Sequence, residues 1–307
     1  MKKTNQTPDM SVNIAGIKMK NPVMPASGTF ACGREYNELF DINNLGALVT
    51  KSVTLYPTMG NNPPRTCETA SGVLNSIGLQ NSGLNNFIKD DYPFLNKLKI
   101  PLIVSIAGKS EDEYSKIILR LNKLTKISAY EVNISCPNVH HQIIGKDLKM
   151  TEKLIKRLSR ISRYPLIIKL TPNDVDIVEA AKVSEASGAK AISLVNTFAG
   201  MAIDIYTGKP KLGNITGGLS GPAIKPLALR MVYNISKTVK IPVIGLGGIT
   251  NYEDALEFII AGASAVQVGT ANFLNPFSCI EIIEGMEDYM KKNKIRRIED
   301  LKGSLKT

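Results

Sequence analysis

The chain contains little cysteine, and no two cysteines are close together in the sequence. Only four occur in 307 residues, at Cys32, Cys67, Cys136 and Cys279, and no CxxC pair is present. A dithiol redox pair and a zinc or iron–sulfur site are therefore not indicated, and we expect no metal. Dispersed single cysteines are typical of a reducing compartment, which predicts a cytoplasmic protein.

Long apolar segments are also missing. No apolar run reaches 18 residues, so no transmembrane helix is predicted. The first 13 residues are polar and lack the apolar core of a signal peptide. The composition of 43% hydrophobic and 21% charged residues is sufficient for a sizeable core.

The formal net charge is +11, which has two explanations. It could attract an anionic partner such as a nucleic acid, a membrane surface or an acidic substrate. It could also be compositional, because the lysines are scattered. The densest basic stretch, residues 291–297, lies near the end of the last predicted helix, where cations suit the helix dipole. We favour the compositional explanation.

Short apolar runs alternate with segments of helical spacing along the whole chain. The predicted strands are residues 22–27, 47–53, 101–107, 129–135, 165–171, 191–196, 242–247 and 265–269. The predicted helices include residues 35–42, 111–124, 151–161, 176–187, 224–238, 252–261 and 278–293. Strand–helix alternation implies a parallel sheet, and eight units in a chain of this length predict an α/β fold of the (β/α)8 TIM-barrel type. No linker divides the sequence, so we expect a single domain over residues 1–307.

Three connections are too long for simple turns. Residues 54–82, 137–150 and 197–222 each follow a predicted strand. They should therefore rise from the C-terminal face of the barrel, where the active sites of this fold are built. Long loops within a compact domain are usually functional.

Glycines after the last two strands predict a phosphate site. GLGGI (residues 245–249) follows the seventh strand, and Gly269–Thr270 follows the eighth. Glycines allow backbone N–H groups to approach an anion closely, and a helix N-terminus adds a favourable dipole. Gly221, just before the sixth helix, offers another close approach. We therefore predict a ligand that carries a phosphate group.

Polar side chains that could bind a ligand or take part in a reaction lie at several predicted strand ends. Lys51 and Lys169 lie inside strands, where burial without a partner is costly, so we expect them to project into the barrel mouth. Asn75, Asn133 and Asn196 offer amide donors and acceptors that suit a ring of alternating C=O and N–H groups, as in a pyrimidine. Cys136 lies in NISCPN (residues 133–138), where Pro137 ends the fourth strand and leaves the thiol in a loop as a candidate acid or base.

These residues resemble those of class 1 dihydroorotate dehydrogenases, the soluble FMN enzymes of pyrimidine synthesis. The resemblance covers nearly the whole chain and includes NPVMPASGTF (21–30), TKSVT (50–54), PPRTCET (63–69), LNSIGLQNSG (74–83), NISCPN, LVNT (194–197), GGLSGPAIKPLALR (217–230), GLGGI and VGT. The sequence patterns GTF…G.EY and NSIGLQN.G resemble those of the catalytic chain of subclass 1B. That chain pairs with a second subunit carrying FAD and a [2Fe–2S] cluster.

The resemblance implies roles for matching positions. The residues implied to hold FMN are Ser27, Lys51, Ser52, Asn133, Lys169, Val195, Gly221, Gly247, Gly248, Gly269 and Thr270. Those implied to hold dihydroorotate or orotate are Lys51, Asn75, Ser76, Ile77, Gly78, Leu79, Asn133, Asn196 and Thr197. Cys136 would remove a proton from C5 while a hydride leaves C6 for N5 of the flavin. Lys169 would stabilise the charge of the reduced flavin, and Lys51 would bridge FMN and the substrate carboxylate.

Two positions depart from the family pattern. Ser105 stands where the family often has Asn, which predicts a weaker or water-mediated flavin contact. The loop at residues 139–145 reads VHHQIIG where B-type enzymes usually carry a Gly-Gly pair, which puts the mobility of the loop in question.

The sequence contains no cysteine cluster for iron and no second nucleotide signature. Electrons must therefore leave through a diffusing oxidant or a partner protein. The 1B resemblance implies NAD as the final acceptor, reached through the FAD/[2Fe–2S] partner in a heterotetramer built on a homodimer. A fumarate-dependent enzyme of subclass 1A is the nearer alternative. An RNA-modifying flavoprotein such as a tRNA-dihydrouridine synthase is a further one, as is a non-redox phosphate-binding barrel.

Overall fold

Eight parallel strands form the centre of the structure, a computed structural model that describes residues 7–134, 144–173 and 175–306. In chain order they are β1 (Val23–Pro25), β2 (Leu48–Val49), β3 (Leu102–Ile106), β4 (Ile127–Asn133), β5 (Leu166–Lys169), β6 (Ala191–Leu194), β7 (Val243–Leu246) and β8 (Ala265–Val268). Their order in the sheet is β1-β8-β7-β6-β5-β4-β3-β2. Nearly every residue of these strands is buried, as expected where helices cover a parallel sheet. The predicted (β/α)8 barrel is confirmed.

The seam between β1 and β2 nearly closes the barrel. The Gly46 N–H donates to the Val23 carbonyl at 2.8 Å. The buried side chain of Asn21 donates to the Asn44 carbonyl at 2.9 Å and accepts from the Val23 N–H at 3.1 Å. A Cβ atom at position 46 would lie 2.1 Å from the Asn21 carbonyl oxygen, so only glycine fits this close approach.

Helices cover the outside of the barrel. The α-helices are Arg34–Asn37, Gly83–Asn86, Tyr92–Leu95, Glu111–Leu121, Leu148–Ile161, Ile177–Ala186, Lys225–Ser236, Tyr252–Ile260, Ala271–Leu274 and Ser278–Lys292, with a π-helical segment at Phe87–Asp91. Short 3₁₀ turns lie at Ile42–Asn44, Ile144–Lys146, Pro222–Ile224 and Ile298–Leu301. The Ser110 side chain accepts from the Glu113 N–H, and that of Asn251 accepts from the Asp254 N–H, so each caps the N-terminus of the helix that follows it.

One predicted helix was wrong, and one helical region was missed. The helix predicted at residues 35–42 is a single turn, Arg34–Asn37. The helical layer after β2 was not predicted, because Gly83 and Pro93 interrupt its pattern and the π-helical turn shifts its periodicity. The other predicted helices are present with boundaries displaced by one to three residues.

Two of the long loops pair with each other above the barrel. Strands Thr66–Thr69 and Gly72–Asn75 come from the loop after β2, and strands Phe198–Met201 and Thr216–Ser220 come from the loop after β6. They form one antiparallel four-stranded sheet, which we call the cap sheet. These two long loops are thus ordered by pairing with each other across the barrel mouth.

Smaller antiparallel hairpins complete the described part of the chain. Val12–Ile14 pairs with Ile17–Met19, and Ile203–Asp204 pairs with Lys209–Pro210. Within the described ranges, no helix is long and apolar enough to cross a membrane.

The seam predicts that Gly46→Ala destabilises the barrel. The added methyl group would meet backbone at 2.1 Å, so either β1 or the turn before β2 must move. Overpacking of this kind typically lowers the free energy of unfolding by about 1–3 kcal/mol. Urea denaturation followed by circular dichroism measures the change.

Gly200→Ala is the matched control, because it adds the same methyl group in the cap sheet. There the nearest atoms to the new Cβ are side-chain atoms, a terminal methyl group of Leu74 at 3.0 Å and the Leu219 Cβ at 3.9 Å. Equal stability of Gly46→Ala and wild type would contradict the importance of the seam.

Candidate active site

A cavity of about 780 Å³ lies between the barrel mouth and the cap sheet. Its floor is formed by residues at or just after the carboxyl ends of the strands, which meet at one rim because the strands are parallel. All the residues predicted to hold the cofactor line it: Ser27, Lys51, Ser52, Asn133, Lys169, Val195, Gly221, Gly247, Gly248, Gly269 and Thr270. Asn75, Ile77, Gly78, Leu79, Asn196 and Thr197, predicted to hold the substrate, line it as well.

Of the predicted site residues that the structure describes, Ser76 does not line this cavity. Ser76 is buried in the loop beside the cap sheet, where its hydroxyl accepts from the Asn61 amide at 2.9 Å. Its backbone N–H donates to the Arg65 carbonyl at 2.7 Å, so Ser76 supports the loop. Cys136 and residues 139–143 of the altered loop lie outside the described residues.

The glycines after β7 pack the predicted phosphate loop tightly against the start of helix Lys225–Ser236. Gly247 and Gly248 have φ values of 126° and 76°, which favour glycine. A Cβ at Gly248 would lie 2.7 Å from the Lys225 backbone nitrogen and 2.9 Å from the Gly221 carbonyl oxygen. A Cβ at Gly269 would meet protein atoms only at 3.6 Å and beyond, so the missing side chain there leaves room within the cavity.

An ion-pair cluster anchors the same loop from behind. The ammonium of Lys225 lies 2.7 Å from Asp254 and 2.9 Å from Glu257. Asp254 also accepts from the backbone N–H and hydroxyl of Thr250, at 2.8 and 2.7 Å. Burial opposes ionisation of Asp254, but these hydrogen bonds outweigh it and hold the pKa of the carboxyl below its usual value. Lys225 thus stabilises the loop, with its charge already compensated by carboxylates.

The two lysines in the cavity have different surroundings. The buried ammonium of Lys169 donates to the Ser27 hydroxyl at 3.0 Å and lies 3.6 Å from Glu131. Lys51 forms no ion pair with any described residue. Burial, with a contribution from the nearby charge of Arg65, lowers the pKa of Lys51. An anionic ligand would therefore find a compensated cation at Lys169 and an uncompensated one at Lys51.

Amide and hydroxyl groups form a chain of contacts across the cavity floor. Asn196 donates to Asn133, and Asn133 donates to the Ser52 hydroxyl, both at 3.5 Å. Ser52 and Ser105 share a hydrogen bond of 2.9 Å. Ser105 is fully buried behind Ser52 and does not line the cavity, so it reaches the site through Ser52.

Several residues of the site were not identified from the sequence. Thr66 and Glu68, which belong to the PPRTCET motif, and Val73 line the cavity, but the sequence assigned no role to them. Glu131 and Gln267, both fully buried below the floor, were also missed. A charged residue two positions before Asn133 in an otherwise apolar strand was the available signal for Glu131, because residues i and i+2 share a face.

The family model for dihydroorotate dehydrogenase matches residues 9–290. The chain belongs to the dihydroorotate dehydrogenase family. A protein of Alkaliphilus oremlandii named dihydroorotate dehydrogenase B (NAD(+)), catalytic subunit, is 52% identical over 97% of this chain and 99% of its own length. The proteins of the same name from Alkaliphilus metalliredigens and Pelobacter propionicus are 51% and 49% identical over the same shares of each chain.

These relatives confirm the resemblance to the dihydroorotate dehydrogenase family and to the catalytic chain of subclass 1B. The match runs through both cap-sheet loops as well as the barrel. The roles of individual site residues stay predictions.

The surroundings of Lys51 predict a pH-dependent affinity for carboxylate ligands. Because burial lowers the pKa of Lys51, its positive charge is lost at a lower pH than that of an ordinary lysine. Binding of a carboxylate probe such as orotate should be strongest below that pKa and weaken as pH rises through it. In Lys51→Met, affinity at neutral pH should fall about 10- to 100-fold, as expected for a lost charge-assisted hydrogen bond.

Titration calorimetry with orotate from pH 6 to pH 10 measures this effect. Lys240→Met, which removes an exposed lysine before β7 at the opposite end of the barrel, is the matched control. Since orotate itself can titrate, the informative quantity is the difference between variants. Identical pH profiles for wild type and Lys51→Met would show that Lys51 does not bind the carboxylate.

Proposed function

We propose that this chain oxidises dihydroorotate to orotate in de novo pyrimidine synthesis, as the catalytic subunit of a B-type dihydroorotate dehydrogenase. The proposal is supported by family membership and by relatives of this name that are about half identical over nearly the full length. The observation that carries it is the single cavity, where glycine-rich loops, two lysines and a row of amides converge.

We propose FMN as the cofactor that this cavity holds. A phosphate group fits at Gly247, Gly248, Gly269 and Thr270, where glycine backbone can approach closely and open space lies beside Gly269. Ser27, Ser52, Asn133, Val195 and Gly221 would hold the rest of the molecule. When bound, FMN would supply the hydride acceptor. Lys169 would place its positive charge at the flavin ring, where negative charge accumulates on reduction.

Dihydroorotate would bind between the flavin and the cap sheet. Lys51 would pair with its carboxylate, because this ammonium has no carboxylate partner among the described residues. Asn75, Asn133, Asn196 and Thr197 would present donors and acceptors to the ring. The loop at Ile77, Gly78 and Leu79 would position the substrate, with Ser76 holding that loop from behind.

Cys136 is the proposed base, on the strength of the family motif NISCPN. Its thiolate would remove the proton from C5 of dihydroorotate as the hydride leaves C6, and a free thiol becomes thiolate near pH ~8.5. The described end of β4 at Asn133 lies on the cavity floor, three residues before this cysteine. The loop that follows β4 therefore starts at the proposed site.

A partner subunit is the proposed route for electrons to leave. The relatives are named as catalytic subunits of NAD(+) enzymes, which supports a complex and NAD as final acceptor for this chain. We propose that the partner carries FAD and a [2Fe–2S] cluster and that the complex is a heterotetramer built on a homodimer. The cytoplasm is the compartment that suits both this pathway and the dispersed cysteines.

Stopped-flow spectroscopy tests the reaction and its base together. The purified chain should be yellow with bound FMN, and anaerobic dihydroorotate should bleach the flavin absorbance. Cys136→Ser should keep FMN and orotate binding but reduce its flavin roughly 10²–10⁴-fold more slowly, since serine is a far poorer base.

Cys279→Ser is the control, because that cysteine is fully buried and does not line the cavity. Bleaching of Cys136→Ser at the wild-type rate would refute the assignment of the base. A colourless protein that binds no flavin would refute the proposed function itself.

The acceptor is tested with the lone chain in steady state. It should oxidise dihydroorotate with an artificial dye but reduce NAD⁺ poorly, because its single predicted phosphate site is used by FMN. Efficient NAD⁺ reduction by the lone chain would contradict the need for a partner. Efficient fumarate reduction would instead indicate subclass 1A, and reduction of tRNA uridine would indicate an RNA-modifying enzyme.

A further inference from the structure

A buried carboxylate lies directly below the floor of the cavity. Glu131, in the middle of β4, has no exposed surface. Its Oε2 atom accepts from the Ser193 hydroxyl at 3.1 Å and from the Gln267 amide nitrogen at 2.8 Å. Its Oε1 atom has no hydrogen bond to a described residue and lies 3.6 Å from the ammonium of Lys169. Glu131 is thus the counter-ion of a lysine that lines the cavity.

The sheet register fixes this pair. Glu131 precedes Asn133 by two residues, so both side chains point into the barrel at successive levels. Asn133 and Ser193 both pair in register with Lys169, from the two neighbouring strands. Lys169 therefore lies level with Asn133 and Ser193 and one level above Glu131, at the boundary between the barrel interior and the cavity.

Donors occupy both sides of this carboxylate. The Gln267 amide approaches one oxygen and the Lys169 ammonium faces the other, so two acceptor atoms are required. Glutamine at position 131 would supply only one carbonyl oxygen. Where its amide N–H group faces Lys169, the buried ammonium loses its acceptor.

The three donors of the Lys169 ammonium have distinct directions available. One N–H group donates to the Ser27 hydroxyl at 3.0 Å, and the Glu131 carboxylate, 3.6 Å from the ammonium, attracts a second. The third can point into the cavity that Lys169 lines. An anchored ammonium presents its charge to a ligand at no cost of rearrangement.

We infer that Glu131 is a positioning residue that anchors the Lys169 ammonium against the cofactor and thereby stabilises the reduced cofactor. The inference rests on the proposed function in one respect, namely that the cavity holds FMN. Glu131 does not touch the ligand, and its effect is transmitted through Lys169.

If Glu131 anchors Lys169, Glu131→Gln should shift the midpoint potential of the flavin in one direction; if Glu131 acts only through its negative charge, the shift should be in the opposite direction. If the carboxylate acted only by its negative charge, its removal would favour the reduced, more negative flavin and raise the midpoint potential. If it anchors Lys169, its removal weakens the stabilisation of the reduced flavin and lowers the potential. We expect the affinity ratio of reduced to oxidised FMN to fall about tenfold, which is about 30 mV for a two-electron couple.

Dithionite titration of the FMN-loaded chain with a reference dye measures the potential. Lys169→Met should lower it at least as much, and adding Glu131→Gln to Lys169→Met should lower it no further. Ser193→Ala is the matched control, because it removes a donor to the other oxygen of the same carboxylate and should leave the potential unchanged. A positive shift, no shift, or additivity with Lys169→Met would overturn the inference.

Glu131→Asp covers the case in which Glu131→Gln does not fold. Aspartate keeps the charge but is shorter by one methylene group, so it withdraws from Lys169 and should lower the potential in the same direction. An unchanged potential in Glu131→Asp would then overturn the inference. If the wild-type chain binds no FMN, the proposed function has failed; if it binds FMN and only the variants behave unexpectedly, the anchoring role alone has failed.

Discussion

The common direction of the eight strands determines where this chain can do chemistry. Parallel strands end at one rim, so residues that are far apart in the sequence, such as Ser27, Lys169 and Gly269, line the same cavity. The seam at Gly46 nearly closes the barrel at its opposite, amino-terminal end, since the hydrogen bond to Val23 joins the segments where the first two strands begin. The position of the cavity and of the residues that line it depends on this arrangement of strand ends.

The charges in the cavity are arranged in layers. Glu131 lies lowest and is enclosed by donors, Lys169 lies above it, and Lys51 lies at the cavity with no ionic partner among the residues described. Burying a lone charge is costly, so the deep lysine carries its own counter-ion. The shallower lysine has its pKa lowered by burial, and an anionic ligand can supply the missing charge. The cavity thus contains one lysine that is already paired with a buried carboxylate and one that an anionic ligand can pair with.

The sequence predicts the barrel well because each strand is a short apolar run bounded by polar or helical segments. It predicts the phosphate loops for a similar reason, since Gly247 and Gly248 need positive φ values that few other residues adopt. These signals are local. The cap sheet escaped prediction because its strands have only four or five residues and the pairing that joins its two halves links residues more than a hundred positions apart. Glu131 escaped because its pairing with Lys169 depends on the register between β4 and β5.

The family comparison and the geometry contribute different information. Relatives named as catalytic subunits identify the family, but they do not say what each side chain does. The structure shows that Ser76 supports a loop and that Ser105 acts behind Ser52, two details that residue-by-residue transfer from a family motif did not provide.

The cap sheet also constrains how this protein can diverge. Its inner strands, Gly72–Asn75 and Thr216–Ser220, come from different loops and hydrogen-bond to each other, so each loop is the template on which the other is ordered. A deletion in one loop would strip the other of its pairing edge and expose the cavity. Insertions and deletions in these two segments should therefore accompany each other through evolution, as paired changes across about 140 residues of sequence.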